Sequence, residues 1–432
     1  MRRGTVYVVS KKRLVLVALA AFVLLSSIVG VGSAAPITLK FWHGFNAHEI
    51  TKLQELIDRE FLPAHPEIGV DTLAPVSPEK ILSSIAGGNP PDVAILWDSS
   101  PIASWAYNGA LTPLDSYIEA SNLDMDVFIQ AGVDVTRIKG RQWAMPFVLY
   151  NQGFFWNKDL FEAAGLDPSA PPETIDTMDQ YIEKLTLRKG QIIEQIGFIP
   201  QTDLLYMSYL FGGSLYDWSS NKITANHPDN VKALEWEVGL VEKYGVQMIQ
   251  NFVAGLGQGG AGDNPFYLGK LGMTLDGVWQ LAFMPKYAPD LNFGVAPFPY
   301  PIGRQDLKDT NLVGTNPVII PAGAKHPKEA WEFIQWLTTS EAVATEFSGY
   351  VANLPHIKGL KNTFSSDPDV RLFVEMAEHA NARVIPPIPV IEMYVNEFTA
   401  AADKAYNLQG TPKELLDAVT SKMQKELDKI KW

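Results

Sequence analysis

The spacing of apolar positions predicts strands and helices from residue 37 onward. Residues 37–42 alternate apolar and polar side chains, as a strand does, and residues 50–61 carry their apolar side chains on one helical face. Further strands are predicted at 70–73 and 92–97, and further helices at 81–86, 231–244, 328–337 and 412–430. Strands separated by helices predict mainly parallel sheets flanked by helices, and therefore an α/β fold class.

The first 35 residues follow a different pattern. Five basic residues precede an apolar run from Leu14 to Val31 that no acidic residue interrupts, and small residues follow at Ser33 to Ala35. We predict a cleaved signal peptide over residues 1–35, with the mature chain starting at Ala35 or Pro36 and working in the periplasm or at the extracellular face. The alternative is a retained N-terminal membrane anchor, because about 18 apolar residues is near the lower limit for spanning a bilayer.

Charge, cysteine content and length narrow the classes of protein. The formal net charge is −13, and it becomes −18 without the first 35 residues, which hold five basic residues and no acid. Such a surface repels phosphates, so nucleic acid is not an expected partner. No cysteine occurs, which excludes disulfides, thiolate nucleophiles and an acylated N-terminal cysteine. The length favours two lobes over one core, and we expect a monomer without a cofactor.

Enzyme signatures give little support for catalysis. The sequence has no Gly-x-Ser-x-Gly elbow, no phosphate-cradling Gly-rich loop and no His-Glu-x-x-His helix. The seven histidines are scattered, and His43 and His48 lack carboxylates at ligand spacing, so no metal site is predicted. The number of Asp and Glu residues does not exclude a pair of carboxylates like that of a glycosidase. An exported carbohydrate-active hydrolase is therefore the alternative from another functional class.

Aromatic residues at predicted strand ends indicate a ligand site. Trp42 and Trp97 end two predicted strands, and Trp279 follows the turn at Asp276 and Gly277. In open α/β sheets, ligands bind beyond the carboxyl ends of the strands. Flat aromatic rings there match the apolar faces of sugar rings, while nearby Asp, Asn and His side chains can bond the hydroxyl groups. Each ring taken singly fits core packing equally well, so the prediction depends on their positions together.

Six segments from residue 37 to the C-terminus carry a family resemblance. They are 39–44, 84–93 with its Gly-x-x-Pro-Asp turn, 108–114, 155–166, 272–279 and 325–333. In sequence and order they resemble the extracellular solute-binding proteins of ABC importers, specifically the carbohydrate-binding family that includes maltose-binding protein. The resemblance implies a receptor that captures a sugar in a cleft between two α/β lobes, closes over it and delivers it to the membrane permease.

The resemblance also implies where the lobes meet. We expect an N-lobe of residues 36–148 plus 317–364 and a C-lobe of residues 149–316 plus 365–432. The chain is expected to cross between them at 147–151, 311–316 and 361–369. Carried over position by position, the expected ligand contacts are Trp42, His43, Asp98, Ser99, Phe147, Tyr150, Asn151, Tyr206, Tyr209, Gly213, Trp279, Asn316 and Tyr394. Trp279 is expected to stack on the sugar, and Asp98 to accept bonds from its hydroxyl groups.

Two departures from the family pattern affect the ligand. His43 stands where small or acidic residues are common, and residues 251–263 contain five glycines and are expected to form a loop. Relatives that bind glycerophosphodiesters share the Phe-Trp-His opening, so a phosphorylated polyol is the alternative ligand. Phosphate capture needs arginine or a helix N-terminus, and Arg383 is the candidate for it.

Overall fold

The structure, a computed structural model, describes residues 36–200, 203–256, 263–360 and 367–431. The predicted export segment lies outside these residues. No helix among the described residues is both long enough and apolar enough to cross a membrane.

A four-stranded sheet forms the centre of the N-lobe, in the order β14-β3-β1-β2. Strand β1 runs parallel to both β2 and β3, whereas β14 is antiparallel to β3. Its strands and helices are β1 Ile37–His43, α1 Ala47–Leu56, β2 Ile68–Leu73, α2 Pro78–Ala86, β3 Val93–Ile95, α3 Ser100–Tyr107, α4 Asp115–Ser121, α5 Gln130–Thr136, β4 Arg137–Ile138, β5 Arg141–Gln142, β14 Val318–Ile319 and α12 Pro327–Thr339. The strands and helices predicted in this region are confirmed.

The long strand β6 organises the C-lobe. Its sheet has the order β11-β6-β13-β15, and β12 also pairs with β6. The elements are β6 Leu149–Asn157, α6 Lys158–Ala163, α7 Ile175–Leu185, β7 Leu187–Lys189, β8 Ile192–Gln195, α8 Leu204–Leu210, β9 Tyr216–Asp217, β10 Lys222–Ile223, α9 Pro228–Tyr244, α10 Val246–Ala254, β11 Met273–Gly277, α11 Gln280–Tyr287, β12 Phe293–Ala296, β13 Asn311–Thr315, α13 Pro368–Glu378, β15 Ala382–Arg383, α14 Ile391–Tyr406 and α15 Pro412–Asp428.

Two features of the C-lobe differ from the expectation. Strand β6 runs antiparallel to β11, β12 and β13, so this sheet is mainly antiparallel, although the α/β class is confirmed. The expected loop at 251–263 begins inside α10, which continues to Ala254, because Phe252 anchors that helix in the core. Residues 257–262 of the loop lie outside the described residues.

Hydrophobic clusters follow the two groups of strands. One large cluster packs helices α6 to α11 and α13 to α15 against the C-lobe sheet. Two smaller clusters fill the N-lobe, one centred on Phe41 and Phe333 and the other on Ile102 and Trp105. Strands β6 and β13 pair through Tyr150 and Gly314. The first two expected crossings between the lobes therefore lie side by side. Residues 361–366, which belong to the third expected crossing, lie outside the described residues.

Candidate functional site

Trp97 provides an exposed ring at the carboxyl end of the N-lobe sheet. It follows β3, and 45% of its surface is exposed. The indole packs against the backbone of Gly44, where an added Cβ would lie 2.3 Å from Trp97 Nε1. Phe45 supports the ring from the side, edge-on at 5.6 Å between centroids. The ring therefore occupies the space that a side chain at position 44 would take, and nearly half of the Trp97 surface stays exposed.

Asp98 and Ser99 connect Trp97 to helix α3. Asp98 Oδ1 accepts a 2.7 Å hydrogen bond from the Ser100 backbone N–H, which fixes the carboxylate at the start of the helix. Within the described chain no residue donates to Asp98 Oδ2, so this oxygen can accept from a ligand hydroxyl group. Ser99 is buried, and its side chain makes no capping bond to α3.

Tyr150 lies at the first crossing, opposite Asp98. Its ring packs on Gly314 of β13, where an added Cβ would lie 2.3 Å from the ring. Burial raises the pKa of the Tyr150 phenol, and the nearby Asp98 carboxylate raises it further. The phenol therefore stays protonated and can donate a hydrogen bond. Tyr150 also meets the Trp279 ring edge-on at 6.3 Å.

Trp279 is held at the start of α11 by the half-buried carboxylate of Asp276. Its indole packs over Gly277, and its side chain hydrogen-bonds Asp276. Asp276 also accepts from the Gly277 N–H at 2.7 Å and from Gln280 Nε2 at 2.6 Å, and the Tyr267 hydroxyl donates to Gln280. Burial raises the pKa of Asp276 to about 6, against the opposing effect of these bonds. The chain of polar contacts fixes the plane of the indole.

Helix α8 carries two of the tyrosines that were expected to contact the ligand. Burial raises the pKa of Tyr206, and the nearby Tyr150 and Asp203 raise it further, which places Tyr206 close to the floor of the cleft. Tyr209, one turn later, lies instead near Arg383. Gly213 packs against Asn230 so closely that an added Cβ would overlap that side chain. Gly213 therefore has a packing role in this structure.

The two asparagines that were expected to contact the ligand, Asn151 and Asn316, donate hydrogen bonds within the protein. Asn151 Nδ2 donates to Asn311 Oδ1 at 3.1 Å and to the Phe373 carbonyl at 2.9 Å. Asn316 Nδ2 donates to the Trp97 carbonyl, which ties the second crossing to the loop that carries Trp97. Both side chains are buried, so they shape the floor of the cleft.

Three predicted contacts lie inside the hydrophobic cores. His43 is fully buried between Phe41 and Phe45, and neither ring nitrogen has a partner among the described residues. Burial lowers its pKa to about 4, so the ring is neutral. Phe147 stacks on Phe347, at 5.4 Å.

Tyr394 is also fully buried, and its hydroxyl donates to the Leu215 carbonyl at 3.0 Å. In this conformation a ligand would have to break core packing to reach His43, Phe147 or Tyr394. We correct the expectation accordingly and leave these three out of the proposed contacts. Trp42, on the opposite face of β1 from His43, is half-buried with Lys80 Nζ 5.7 Å from its ring centre.

Three residues of this region were missing from the ligand contacts that the family resemblance implied, although Trp97 was among the aromatic residues that indicated a site. Trp97 ends a predicted strand, and the adjacent Gly44 is the sequence signal that leaves room for its ring. Asp276 and Gln280 support Trp279 through a spacing of four residues. That spacing is visible in the sequence, but the hydrogen bonds that join Asp276 to both Gln280 and Trp279 are not.

Helices α3 and α14 bring the two lobes into contact. Ser104 Oγ of α3 donates to Glu392 Oε2 of α14 at 2.9 Å. The structure therefore describes a conformation in which the lobes touch at these helices. Among the residues described, one group of possible metal ligands occurs elsewhere on the N-lobe surface, formed by His65, Glu67 and Glu332. Surface groups of this kind also form without metal, and we assign none to it.

Comparison with known proteins finds extracellular and periplasmic binding proteins. The family model for bacterial extracellular solute-binding proteins matches residues 47–344. An uncharacterized ABC transporter extracellular-binding protein of Pyrococcus horikoshii is 25% identical over 419 residues, covering 91% of this chain and 89% of the relative. The sn-glycerol-3-phosphate-binding periplasmic protein of Pectobacterium atrosepticum is 24% identical over 342 residues, covering 75% of this chain and 73% of the relative.

Solved structures show the same fold. CpMnBP1 with mannobiose bound is 30% identical, with a TM-score of 0.77 over 89% of this chain and 99% of that protein. The sugar-binding protein MalE of Xanthomonas citri, at 20% identity, has a TM-score of 0.76 over 91% of this chain and 98% of its own. The family match covers well over half of the sequence, and the two-lobed fold agrees with it. The chain belongs to the bacterial extracellular solute-binding protein family.

Proposed function

We propose that this protein is the receptor of an ABC importer and captures a sugar or short oligosaccharide between its lobes. The observation that carries the proposal is a three-ring group, in which Tyr150 contacts Trp279, Asp98 lies near Tyr150, and Trp97 is the residue before Asp98. The three rings come from both lobes and are each backed by a glycine. Such rings can cover the apolar faces of pyranose rings, while Asp98 and the Tyr150 hydroxyl group bond the sugar hydroxyls.

Closure supplies the mechanism without a covalent step. Trp97 and Asp98 belong to the N-lobe, whereas Trp279 belongs to the C-lobe. A ligand that contacts both sets gains all its contacts only when the lobes approach, so it favours the closed form. The closed form is then the species presented to the permease. The protein is proposed to act as a monomer outside the cytoplasm and to release its ligand chemically unchanged.

A receptor for a phosphorylated polyol is the second candidate. The relative named for sn-glycerol-3-phosphate favours it, as does Arg383 near Tyr209. Arg383 nevertheless lies apart from the three-ring group, beside the other end of α8. The aromatic group therefore favours the neutral sugar.

Calorimetric titration with mannobiose, mannotriose and maltotetraose tests the proposal, with sn-glycerol-3-phosphate in parallel. A sugar ligand at 100 times its Kd should add about 2.7 kcal/mol of stability, measured as a rise in Tm. Chromatography of the sugar after incubation tests for turnover. Hydrolysis of the sugar, or binding of the phosphate ester alone, would overturn the sugar-receptor proposal.

A Trp279→Ala variant tests the site itself. Loss of the stacking ring should weaken sugar binding by about 2 kcal/mol, or roughly thirtyfold in Kd, as removal of an aromatic anchor commonly does. Tyr287→Ala is the matched control, because Tyr287 is an exposed aromatic at the other end of α11. Equal affinity in the two variants would remove Trp279 from the site.

A further inference from the structure

A second cavity opens between the lobes, away from the three-ring group. Its volume is about 580 Å³. The N-lobe contributes the turn between β4 and β5 and the residues before it, and the C-lobe contributes the end of α8, the segment up to Trp218, and β15 with the prolines that follow. None of Trp97, Asp98, Tyr150 and Trp279 lines it. The volume is within the range of small-molecule sites.

Basic side chains from both lobes line this cavity. Arg137 and Lys139 come from the N-lobe hairpin, and Arg383 comes from β15 of the C-lobe. Asp134 is the acidic residue of the lining, and its Oδ1 accepts from Gln130. This concentration of positive charge is unusual in a chain with a formal net charge of −13. It favours an anion in the cavity.

Neutral acceptors hold the two arginines. Arg383 Nη1 donates to the carbonyls of Ala380 and Ala382 at 3.0 and 3.2 Å, and its Nη2 donates to Asn381 Oδ1 at 3.2 Å. Arg137 Nε donates to Gln142 Oε1 at 3.2 Å. Within the described ranges, no carboxylate forms an ion pair with either guanidinium.

These contacts orient both arginines without neutralising their charge. Each guanidinium has five N–H groups, so both retain donors for an incoming anion. The remaining N–H groups of Arg383 are its Nε–H and one on Nη2. Carbonyl-held arginine with spare donors is suited to bind an oxyanion through two parallel bonds.

We propose that this cavity is an oxyanion site that bridges the lobes. An ion of phosphate type would accept hydrogen bonds from Arg137 on the N-lobe and from Arg383 and the Tyr209 hydroxyl on the C-lobe. The ion contacts both lobes, so it favours the relative lobe position seen here. Oxyanion binding should then be coupled to sugar capture in the separate cleft, and the coupling is reciprocal. The oxyanion can be free phosphate or the phosphate group of a small organic ester.

Titration calorimetry with inorganic phosphate, at constant ionic strength set by sodium chloride, tests the site. Wild-type protein should bind phosphate saturably, and Arg383→Gln and Arg137→Gln should each weaken it at least tenfold. Arg371→Gln, an exposed arginine on α13, is the matched control and should bind as the wild type does. Arg137 lies on an exposed hairpin, so its variant tests the proposal even if Arg383→Gln fails to fold.

Two further measurements distinguish free phosphate from a phosphate ester, and the oxyanion site from the sugar site. Binding of glycerol-3-phosphate at least tenfold tighter than phosphate would identify the ester as the ligand, and equal or weaker binding would identify the free ion. Trp279→Ala should bind phosphate normally, so the anion site can stand even if no sugar binds.

Where a sugar binds, saturating phosphate should lower its Kd about fivefold in the wild type and leave it unchanged in Arg383→Gln. Unchanged sugar affinity in the wild type would overturn the coupling. Absent phosphate binding, or binding that survives in both arginine variants, would overturn the site.

Discussion

Gly44 and Gly314 show how single residues define the cleft. Each lacks the side chain that would occupy the space taken by an aromatic ring, from Trp97 in one case and Tyr150 in the other. An added methyl group at either position would move a ring before it disturbed a core. The glycines therefore affect ligand binding more than folding.

A Gly44→Ala variant tests this idea. The new Cβ would lie 2.3 Å from Trp97 Nε1, and the exposed indole can move aside. We expect sugar Kd to rise about tenfold, or about 1.4 kcal/mol, with the free energy of unfolding changed by less than about 1 kcal/mol. Gly239→Ala in α9 is the control, because an added Cβ there meets no atom within 4 Å. It should stabilise the helix by about 0.5–1 kcal/mol and leave Kd unchanged; unchanged Kd in Gly44→Ala would contradict the prediction.

The carboxyl group of Asp276 should make the free energy of unfolding depend on pH. Its folded pKa of about 6 exceeds the usual aspartate value, so the native state binds this proton more tightly. The associated stability is fully present below the unfolded pKa and is lost as pH rises through 6. Between pH 8 and pH 5, the wild type should gain about 1.4 kcal/mol relative to Asp276→Asn. Urea unfolding of both proteins at the two pH values measures the difference, and parallel profiles would refute it.

The burial of a residue could be predicted from the sequence where the periodicity of its strand or helix fixes the direction of its side chain. Neighbouring positions on a strand face opposite sides, so His43 shares the core face with Leu39 and Phe41. Tyr394 and Phe398 are four residues apart on α14 and belong to its buried face. Both placements follow from periodicity alone. The contact between Trp97 and Gly44 does not, because it joins two separate loops.

At the scale of elements, β6 and β13 form the junction of the lobes. Their pairing is reinforced by a buried amide network in which Asn311 Nδ2 donates to the Met376 carbonyl at 2.7 Å and its Oδ1 accepts from Asn151. The network connects both crossing strands to the end of α13. It therefore fixes the position of the helix relative to the hinge.

An Asn311→Ala variant should expose the cost of losing this network. The Met376 carbonyl would keep only the His379 N–H as a donor, and Asn151 Nδ2 would keep only the Phe373 carbonyl as an acceptor. We expect a loss of about 1–3 kcal/mol in the free energy of unfolding, measured in urea. Asn292→Ala, which removes an exposed bond to Asp159, should cost less than about 0.5 kcal/mol. Similar values for the two variants would argue against a structural role for the network.

Individual elements were easier to predict than their pairing. The alternating pattern at β1 and the amphipathic patterns of α9, α12 and α15 gave elements close to those observed. The mainly antiparallel C-lobe sheet was not evident, because apolar and polar side chains do not alternate along β6 and the strand shows no preferred face. Strand direction then depends on distant partners, which one sequence does not reveal.

At the scale of the whole molecule, the contact between α3 and α14 spans the two lobes. The Ser104–Glu392 hydrogen bond is exposed, so its strength is modest. It is nevertheless a contact that depends on the lobes being together. The net charge and the absence of cysteine did not predict how the lobes lie against each other. Their relative position depends on the pairing of β6 with β13 at the junction of the lobes.

A Ser104→Ala variant should shift the balance between open and closed forms. Loss of one hydrogen bond worth about 0.5–1.5 kcal/mol in the closed form should raise sugar Kd about two- to tenfold. Small-angle X-ray scattering without ligand should show a radius of gyration equal to or larger than that of the wild type. Ser121→Ala, which removes a bond within α4, should leave both measurements unchanged. A Ser104→Ala protein with unaltered Kd would show that this contact does not contribute to closure.

The same contact suits the protein to optical sensing. Because the chain has no native cysteine, thiols introduced at positions 104 and 392 would be the only reactive ones. A donor and an acceptor dye on these helices would lie close together in the conformation described here and separate as the lobes part. Energy transfer between them would report ligand concentration continuously, without a chemical reaction at the binding site.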